Sequence, residues 1–487
     1  MKANPLLFEE VAKVEVLNHE QSDFLVMVKG VFDYLCNNAM NDYGDSDKQD
    51  LARDLGGDIR LNSLGHLAEL LEKFEANAIA NGINVLWAQD GDEACKLVEG
   101  LIDKHDVKII TKGKSMITEE IDLNHYIESK TGVEVHEGDL GEFIVQQRGT
   151  PPVHIVAPAI NLQLGEIIDI LHESIDMPKT EDANEIADYV RGFLRTRFQR
   201  ADMGITGVNQ AVASTGSLIL VENEGNIRWS TSAPKIHVAL MSIEKVCDNL
   251  ADAMHLVGLL TRNCTGQSIT SYVSILNGPR KENEYDGPEE TYLIILDNGR
   301  SKAYADSELR EAMRCIRCGR CGVKCPIYLQ IGAYPYNNCY PGPMGVALMP
   351  LLLGVDETKH LYQACTQCGA CAEICPVQVP HLSLNARYRQ MKASGDKEFK
   401  ASSNIWEGLF FKSLTTGMNN LGLYKTGLAS MRFFTKNSSS DGYIKKLPGP
   451  FSSWFISRDL PEIPSQSFRQ YWETEGYKFT KEGKKNE

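Results

Sequence analysis

The chain has 487 residues, of which 43% are hydrophobic, and a formal net charge of −15 at pH 7. This length exceeds one ordinary core, so two or more domains are expected. The negative charge argues against nucleic acid as the main partner, because phosphate binding needs a basic surface. Residues Met1–Glu10 lack the apolar core of a signal peptide, and the longest apolar run, Val346–Val355, is too short to span a bilayer. We therefore expect a cytoplasmic protein in a reducing compartment, where its 13 cysteines stay free to bind metal.

Residues 1–80 are predicted to form an N-terminal helical segment. Apolar side chains recur there at helical spacing, in the sets Phe24, Met27, Val31 and Leu35, and Leu64, Leu67, Leu71 and Phe74. Stripes of this kind usually pack against a core rather than bind a ligand.

Residues 81–300 alternate between predicted strands and predicted helices. Strands are predicted at 83–88, 107–111, 133–135, 154–157, 217–221, 237–241, 269–275 and 291–296, and helices at 92–102, 118–130 and 164–175. This alternation predicts an α/β domain whose mainly parallel sheet is covered on both faces.

Two polar runs in this region each have an ordinary and a functional interpretation. Lys112-Gly-Lys-Ser115 resembles half of a phosphate-binding loop, but Lys108 stands where that motif requires glycine. A helix start capped by Ser115 is the favoured interpretation. Asp139 and Glu142 could form a carboxylate pair, although a negatively charged helix start is again favoured, because the helix dipole stabilises it. The glycine-rich run at 204–209 is predicted to be a loop that brings backbone close to a partner.

Residues 301–395 are predicted to be a helical ferredoxin domain. The pattern Cys-x2-Cys-x2-Cys-x3-Cys-Pro occurs twice between positions 315 and 376, and it is the bacterial ferredoxin arrangement for [4Fe-4S] clusters. In two-cluster proteins the fourth cysteine of each copy completes the other site. The sequence therefore predicts two [4Fe-4S] clusters, one on Cys315, Cys318, Cys321 and Cys375, and one on Cys365, Cys368, Cys371 and Cys325. Zinc usually takes two Cys-x2-Cys pairs, and disulfide frameworks suit small secreted chains, so both alternatives fit less well.

Three other side chains close to the cysteine copies have alternative interpretations. Cys339 lies between the copies and is predicted to be a packing residue, because each cluster already has four thiolates. Arg317 and Arg320 lie inside the first copy. They could raise the potential of a cluster by stabilising its reduced form, or they could form surface ion pairs.

The C-terminal stretch, residues 396–487, is rich in aromatic residues, among them Trp406, Trp454 and Trp472. Disordered tails are poor in aromatics. We expect an extended strap that docks on other domains or on a partner subunit.

Nearly the whole chain resembles the lactate-utilisation iron–sulfur protein B family (LutB). The resemblance depends on short motifs in matching order: Lys112-Gly-Lys-Ser-Met116, Asp139-Leu-Gly-Glu142, Gly204-Ile-Thr-Gly-Val-Asn209, Asn223-Glu-Gly-Asn226, Ile243-Glu-Lys245, Asp297-Asn-Gly-Arg300, Arg314-Cys-Ile-Arg-Cys318 and Arg458-Asp-Leu-Pro461. It implies a lactate-utilisation (LUD) domain of the NagB/RpiA/CoA-transferase-like fold, followed by the ferredoxin domain. It also implies two partner proteins, a cysteine-rich, heterodisulfide-reductase-like subunit and a second LUD protein.

Three functions are consistent with these features. The first is an electron-transfer subunit of an L-lactate-oxidising complex, which relays electrons through two [4Fe-4S] clusters. The alternative is a self-sufficient oxidoreductase, or an enzyme that binds a CoA ester or hydroxy acid through the LUD domain, with Glu244 and Glu142 as candidate carboxylates. The third is a redox sensor or scaffold in which the clusters are structural. The first is favoured, because eight cysteines have cluster spacing whereas no flavin, nicotinamide or acid–base constellation is recognisable.

Overall fold

A computed structural model describes residues 44–150, 152, 154–438, 441–446 and 458–476, together with positions 30, 31, 34, 37, 38 and 455. The apolar stripe predicted around Phe24, Met27 and Leu35 lies outside the described residues, and so does Trp454. The chain divides into two compact units, Met1–Ser402 and Ser403–Glu487.

From Ser46 onward, the first unit has two successive helices, Ser46–Gly65 and Leu67–Ala80. The carboxylate of Asp45 accepts a hydrogen bond from the Asp47 backbone N–H and so caps the first helix. The second apolar stripe is confirmed, since all four of its side chains, Leu64, Leu67, Leu71 and Phe74, are buried. The break between the helices falls at His66.

The described residues of the first unit then form ten strands: β1 Ile83–Ala88, β2 Ile109–Lys112, β3 Glu134–Glu137, β4 Met203–Gly207, β5 Gln210–Val212, β6 Ser217–Glu222, β7 Ile236–Ser242, β8 Val246–Cys247, β9 Tyr272–Leu276 and β10 Glu290–Leu296. Six of them form one sheet in the order β1-β10-β7-β4-β2-β3, and every pair in it is parallel. The other four form a second sheet in the order β8-β5-β6-β9, in which only β5 and β8 are parallel. The prediction of a mainly parallel sheet is therefore confirmed.

Helices connect these strands: Gly91–Lys104, Met116–Glu120, Leu123–Thr131, Leu140–Arg148, Leu164–Ile175, Ala183–Arg200, Asn226–Ser232 and Leu250–Thr265. The single helix predicted at 118–130 is interrupted at Asp122, which has a left-handed φ of 56°. Alternate residues of the central strand β7 enter different cores, with Val238 and Leu240 on one face and Ala239 and Met241 on the other. Both faces of the parallel sheet are therefore buried.

Two segments of this region differ from the prediction. Residues 154–157 form bends rather than a strand, and Ile155 packs into the core that contains the cysteines. The glycine-rich run at 204–209 was predicted to be a loop, but Met203–Gly207 is a central strand. A Cβ at Gly204 would lie 1.7 Å from the Ser230 carbonyl oxygen, so a side chain is excluded there by close backbone packing.

The cysteine-containing region is made of short helices: Arg300–Ala305, Arg320–Val323, Pro326–Ile331, Gly342–Leu352, Lys359–Ala364, Ala370–Glu373 and His381–Ser394, with 3-10 turns at Leu309–Arg314 and Tyr334–Tyr336. Leu256 and Leu259, from the helix Leu250–Thr265, share one core with Ile316 and Val377 beside the cysteines. The guanidinium of Arg60, from the first helix of the unit, donates to the backbone carbonyls of Arg314, Met313 and Glu244. The α/β region and the cysteine region therefore form one packed body.

The second unit contains two helices, Ile405–Asn419 and Leu421–Ser438, and a pair of antiparallel two-residue strands, Tyr443–Ile444 and Leu460–Pro461. Its last described element begins at Phe468. Residues 405–438 are helical, so the expected extended form is wrong for them, and docking on a partner stays a prediction. Within the described ranges, no helix combines the length and the apolar character needed to cross a bilayer.

Candidate functional site

The eight cysteines of the two copies line two neighbouring cavities, four in each. One cavity is lined by Cys315, Cys318, Cys321 and Cys375, and the other by Cys325, Cys365, Cys368 and Cys371. All eight are free thiols, so the disulfide alternative does not apply to them. The structure thus brings together the same two sets of four that the spacing predicts.

The two copies also adopt the same backbone conformation. Arg317 and Gln367 occupy equivalent positions and have left-handed φ values of 63° and 55°, and Gly319 and Gly369 follow with 74° and 86°. At the first of these positions the backbone N–H donates to the sulfur two residues earlier, at 3.4 Å in each copy. A residue other than glycine loses free energy when its φ is positive. Because this conformation occurs at the same position of both cysteine loops, we infer that both loops need it to arrange their sulfurs.

The donor geometry fits a polynuclear cluster better than a single metal ion. In the described part of the chain, no group of three His, Cys, Asp or Glu side chains converges closely enough for one ion, as tetrahedral zinc requires. The thiols instead surround two cavities, which suits a cluster with one iron per thiolate. Burial raises the pKa of Cys371 to about 12. Thiolates at such sites therefore need the positive charge of bound iron.

Next to the first cysteine set lies a buried network of ionic side chains. Arg317 Nη2 is 2.7 Å from Glu244 Oε1, and Arg300 Nε is 3.0 Å from Glu244 Oε2. Arg300 Nη2 also pairs with Glu120 Oε2 at 2.7 Å. Burial alone would raise the pKa of Glu244, but the charges of Arg300 and Arg317 hold it well below its ordinary value. The guanidinium of Arg317 is thus largely neutralised by an adjacent carboxylate.

The structure contradicts the idea that Arg317 and Arg320 form surface ion pairs. Arg317 is 8% exposed and Arg320 3%. Besides its pair with Glu244, Arg317 donates from Nη1 to the carbonyl of Cys315 at 2.8 Å. Arg317 is therefore held rigidly beside a predicted cluster ligand.

Glu244 and Glu142, the candidate carboxylates of the enzyme alternative, have different surroundings. The two carboxylate oxygens of Glu244 each face an arginine, at 2.7 Å for Arg317 and 3.0 Å for Arg300, so Glu244 serves as their counter-ion. Glu142 is buried, its nearest ionic partner is Lys114 at 3.8 Å, and burial raises its pKa to about 8. The carboxylate of Asp139 accepts from the Glu142 backbone N–H at 3.0 Å, which confirms the helix-start interpretation of this motif.

The partial phosphate-binding motif has a structural role at its first lysine. The ammonium of Lys112 is buried between Glu119 and Glu137, at 2.9 and 2.8 Å, and donates to Thr118 Oγ1. The helix Met116–Glu120 begins directly after Ser115, but the Ser115 hydroxyl makes no capping hydrogen bond. The predicted cap is wrong in this respect.

That hydroxyl lines a third cavity, of about 270 Å³, which we call the LUD cavity. Its walls come from the loops that follow β2, β4, β6 and β7, together with Ile316 and Arg317 of the first cysteine copy. Sequence reasoning missed this cavity. Parallel strands place their carboxyl ends at one edge, where open α/β sheets bind ligands, and four of the motifs quoted above begin at or follow such ends. The position of these motifs at the ends of predicted parallel strands is the sequence feature that could have indicated the cavity.

Two polar atoms on the wall of the LUD cavity, Ser115 Oγ and Asn226 Oδ1, have no hydrogen-bond partner among the described residues. The side chains of Ser115 and Asn226 are each only 5% exposed. Burial, together with the charge of Arg317, lowers the pKa of Lys245 to about 8.

Cys339 lies outside both cysteine cavities. Burial and the neighbouring Glu120 raise the pKa of its thiol well above the ordinary value. Cys264, which sequence reasoning did not consider, lines the LUD cavity, and its thiol donates to the carbonyl of Cys318 at 3.2 Å.

Comparison with known proteins agrees with this arrangement. The LUD domain family matches residues 71–296, and the 4Fe-4S dicluster domain family matches residues 311–379, which contain both cysteine copies. Lactate utilization protein B of Bacillus pumilus (strain SAFR-032) is 39% identical over 421 residues, which cover 86% of this chain and 88% of that protein. The protein of the same name from Bacillus cytotoxicus is 40% identical over 420 residues, covering 86% and 87%. A crystal structure of a DUF162 family protein from Deinococcus radiodurans matches 47% of this chain and 98% of its own, with 13% identity and a TM-score of 0.28, and carries no argument.

Proposed function

The chain belongs to the lactate utilization protein B family, and from that premise we propose that it relays electrons through two [4Fe-4S] clusters in an L-lactate-oxidising complex. It is a lactate-utilisation iron–sulfur protein, with a LUD domain followed by a 4Fe-4S dicluster domain. The observation that carries the relay proposal is the presence of two adjacent cavities, each lined by four cysteines.

We assign the ligands as the cavities divide them. Cys325 belongs to the first copy in sequence but lines the cavity of the second, and Cys375 does the reverse. Because each copy contributes to both sites, the two clusters are held at a fixed, short separation. Each cluster, when bound, accepts and releases one electron at a time.

The two sites differ in their access to solvent. Cys318 and Cys375 of the first set are buried, whereas Cys368 of the second set is exposed. The second site therefore fits exchange of electrons with a partner at the surface, and the first site fits the interior end of the relay. The N–H groups that donate to Cys315, Cys365 and Cys375 stabilise the negative charge that accumulates on sulfur.

The proposed partners are a cysteine-rich, heterodisulfide-reductase-like subunit and a second LUD protein of the same pathway. In this proposal the lactate-oxidising chemistry belongs to one of them, because Glu244 is the counter-ion of Arg300 and Arg317, and Glu142 is buried. A cytoplasmic location stays a prediction. One observation favours the enzyme alternative, namely that the LUD cavity adjoins the first cysteine set.

The test uses the full chain, purified without oxygen, with iron content and visible absorption as readouts. About eight irons per chain are expected, and dithionite but not L-lactate should bleach the absorption. After the two partner subunits are added, L-lactate should bleach it. Cys318→Ser should stop electron delivery to an acceptor while partner binding persists. The matched control is Cys339→Ser, which removes a buried thiol outside both cavities and should leave the iron content unchanged.

Two results would contradict the proposal. Bleaching of the isolated chain by L-lactate would make the LUD region the site of oxidation. Loss of iron in Cys339→Ser, at a level equal to that in Cys318→Ser, would show that the ligand assignment is wrong.

A further inference from the structure

We propose that the two helices of the second unit form a docking surface for an anionic lipid bilayer. These helices, Ile405–Asn419 and Leu421–Ser438, are called the C-terminal helix pair below. Both would lie in the plane of the bilayer surface. An electron relay in solution needs no such surface, so this inference goes beyond the proposed function and does not depend on it.

Each helix of the C-terminal helix pair starts at a cap encoded in its own sequence. The Asn404 side chain accepts hydrogen bonds from the backbone N–H groups of Trp406 and Glu407. The side chain of Asn420, the single residue between the helices, likewise accepts from two N–H groups at the start of the second helix. Asparagine is a favoured cap because its oxygen satisfies N–H groups that the helix leaves unpaired. The segment therefore forms two defined helices rather than an irregular tail.

The apolar side chains of the first of these helices face solvent. No residue of this helix, every position of which the structure describes, is buried. Seven large apolar side chains on it are between 46% and 80% exposed: Ile405, Trp406, Leu409, Phe410, Phe411, Leu414 and Met418. A helix of 15 residues is only marginally stable in water, and helices in proteins are stabilised mainly by burying an apolar face. This apolar surface therefore needs a partner to cover it.

The second helix has a basic side and an apolar side. Its basic side chains, Lys425, Arg432 and Lys436, follow one another at the spacing of one helix face. Four exposed apolar side chains lie on the other side of the helix: Leu423, Tyr424, Met431 and Phe434. Aromatic and aliphatic side chains on one side, with lysine and arginine on the other, are typical of a helix that lies in a membrane surface.

The charge of the C-terminal helix pair favours an anionic surface. Residues 405–438 contain four basic side chains and one acidic side chain, Glu407, in a chain whose net charge is −15. A surface of anionic lipids attracts such a segment, by about fivefold in binding constant for each basic residue. A protein partner fits less well, because lysine is depleted at protein interfaces and three of the four cations are lysines. Lysine side chains can instead extend from an apolar face to the lipid headgroups.

The test is flotation of the full chain, purified without oxygen, with lipid vesicles in a sucrose gradient, which separates bound protein from aggregates. One set of vesicles contains equal parts of phosphatidylglycerol and phosphatidylcholine, and the other contains phosphatidylcholine alone. The wild-type chain should float with the anionic vesicles and bind the neutral ones at least about tenfold more weakly. High salt should weaken binding to the anionic vesicles, because it screens exposed charges.

A matched pair of variants tests the contribution of charge. The triple variant Lys412→Gln, Lys425→Gln and Lys436→Gln should bind anionic vesicles more weakly by on the order of a hundredfold. The control has the same change of charge at three exposed lysines of the first unit and should bind like the wild-type chain: Lys96→Gln, Lys130→Gln and Lys281→Gln. Circular dichroism and iron content check that each variant has folded.

A second pair of variants tests the contribution of the apolar surface. Phe410→Ser combined with Phe411→Ser should weaken binding to anionic vesicles by at least about tenfold, because both rings are exposed and would enter the bilayer surface. Ile269→Ser combined with Tyr285→Ser, at exposed apolar positions of the first unit, should leave binding unchanged.

Three results would overturn the proposal. The first is failure of the wild-type chain to float with anionic vesicles, and the second is equal flotation of the triple lysine variant and its control. The third is a wild-type chain that stays in solution while the same substitutions abolish binding to a partner subunit or to a second copy, which would show that a protein covers this surface. Dithionite bleaching of the same samples reports on the clusters, so failure of the electron relay and failure of lipid binding are distinguishable.

Discussion

Glu244→Gln is the substitution from which the structure predicts the largest effect at constant side-chain volume. The wild-type carboxylate lies 2.7 Å from Arg317 and 3.0 Å from Arg300, and it is fully buried. An amide of the same shape leaves both guanidinium groups without that counter-charge. Its NH₂ group can also face a guanidinium, where two donors would oppose one another.

The expected loss follows from the charges involved. At a charge separation of about 4 Å and an effective dielectric of about 20, each pair is worth about 4 kcal/mol before desolvation costs are subtracted. In the variant the two arginines stay buried, so their desolvation still opposes folding while the attraction of the carboxylate is gone. Breaking a buried pair from one side typically costs about 3–5 kcal/mol. For a body of this size, the apparent melting temperature should fall by about 4–6 °C.

The measurement is thermal unfolding of the cluster-loaded chain, followed by circular dichroism and by loss of visible absorption. The matched control is Glu289→Gln, at a half-exposed carboxylate that pairs with Arg280 and Lys235. Exposed pairs contribute less than about 1 kcal/mol, so this variant should melt close to wild type. A second readout is the potential of the first cluster, which should become more positive when Arg317 loses its counter-charge. If Glu244→Gln melts within about 2 °C of the control, the network does not stabilise the fold as argued.

Two further predictions concern the parallel sheet. Burial lowers the pKa of His237 to about 4. The pKa of histidine in the unfolded chain is about 6.5, so the buried neutral ring contributes its full stability above that pH. This contribution to the free energy of unfolding is lost as the pH falls towards 4. About 2 kcal/mol of it is lost between pH 7 and pH 5. His237→Gln should therefore lose less stability than wild type over this interval in melting experiments at the two pH values, and equal losses would contradict the assignment. Gly204→Ala should cost about 3 kcal/mol or more, because its Cβ meets backbone, whereas Gly100→Ala, in open space within a helix, should stabilise by about 0.5–1 kcal/mol. Similar melting temperatures for these two variants would refute that account.

The features that could be predicted from sequence are those set by local spacing. The division of the cysteines into two sets follows from the ferredoxin pattern, in which the fourth cysteine of each copy completes the other site, and the two cavities have the same division. Short apolar runs likewise predict β1, β7 and β10. Strands β7 and β10 are buried on both faces, which requires a continuous apolar sequence.

The features that sequence reasoning missed depend on contacts between distant segments. Residues 203–207 contain two glycines and score poorly as a strand, yet the sheet requires a side-chain-free backbone beside Ser230. Residues 154–157 are apolar like a strand, but they are buried for another reason, since His154 and Ile155 pack against Gly319 of the first cysteine loop. Neither partner is visible in the local pattern.

The candidate site shows the same division. Residue type alone suggests Glu244 as a candidate for acid–base chemistry, whereas in the folded protein Glu244 is the counter-ion of Arg317 and Arg300. Among the residues that line the LUD cavity, Ser115 lies more than a hundred residues before Asn226 and Lys245 in sequence. Only the folded sheet brings them together, so no spacing rule could identify them.

The 3-10 turn Ile243–Lys245 joins the two parts of the site. Glu244 neutralises Arg317 at the first cysteine loop, and its backbone carbonyl accepts a hydrogen bond from Arg60. The next side chain, Lys245, lines the LUD cavity. One turn thus sets the charge on both sides of the wall between cavity and cysteines.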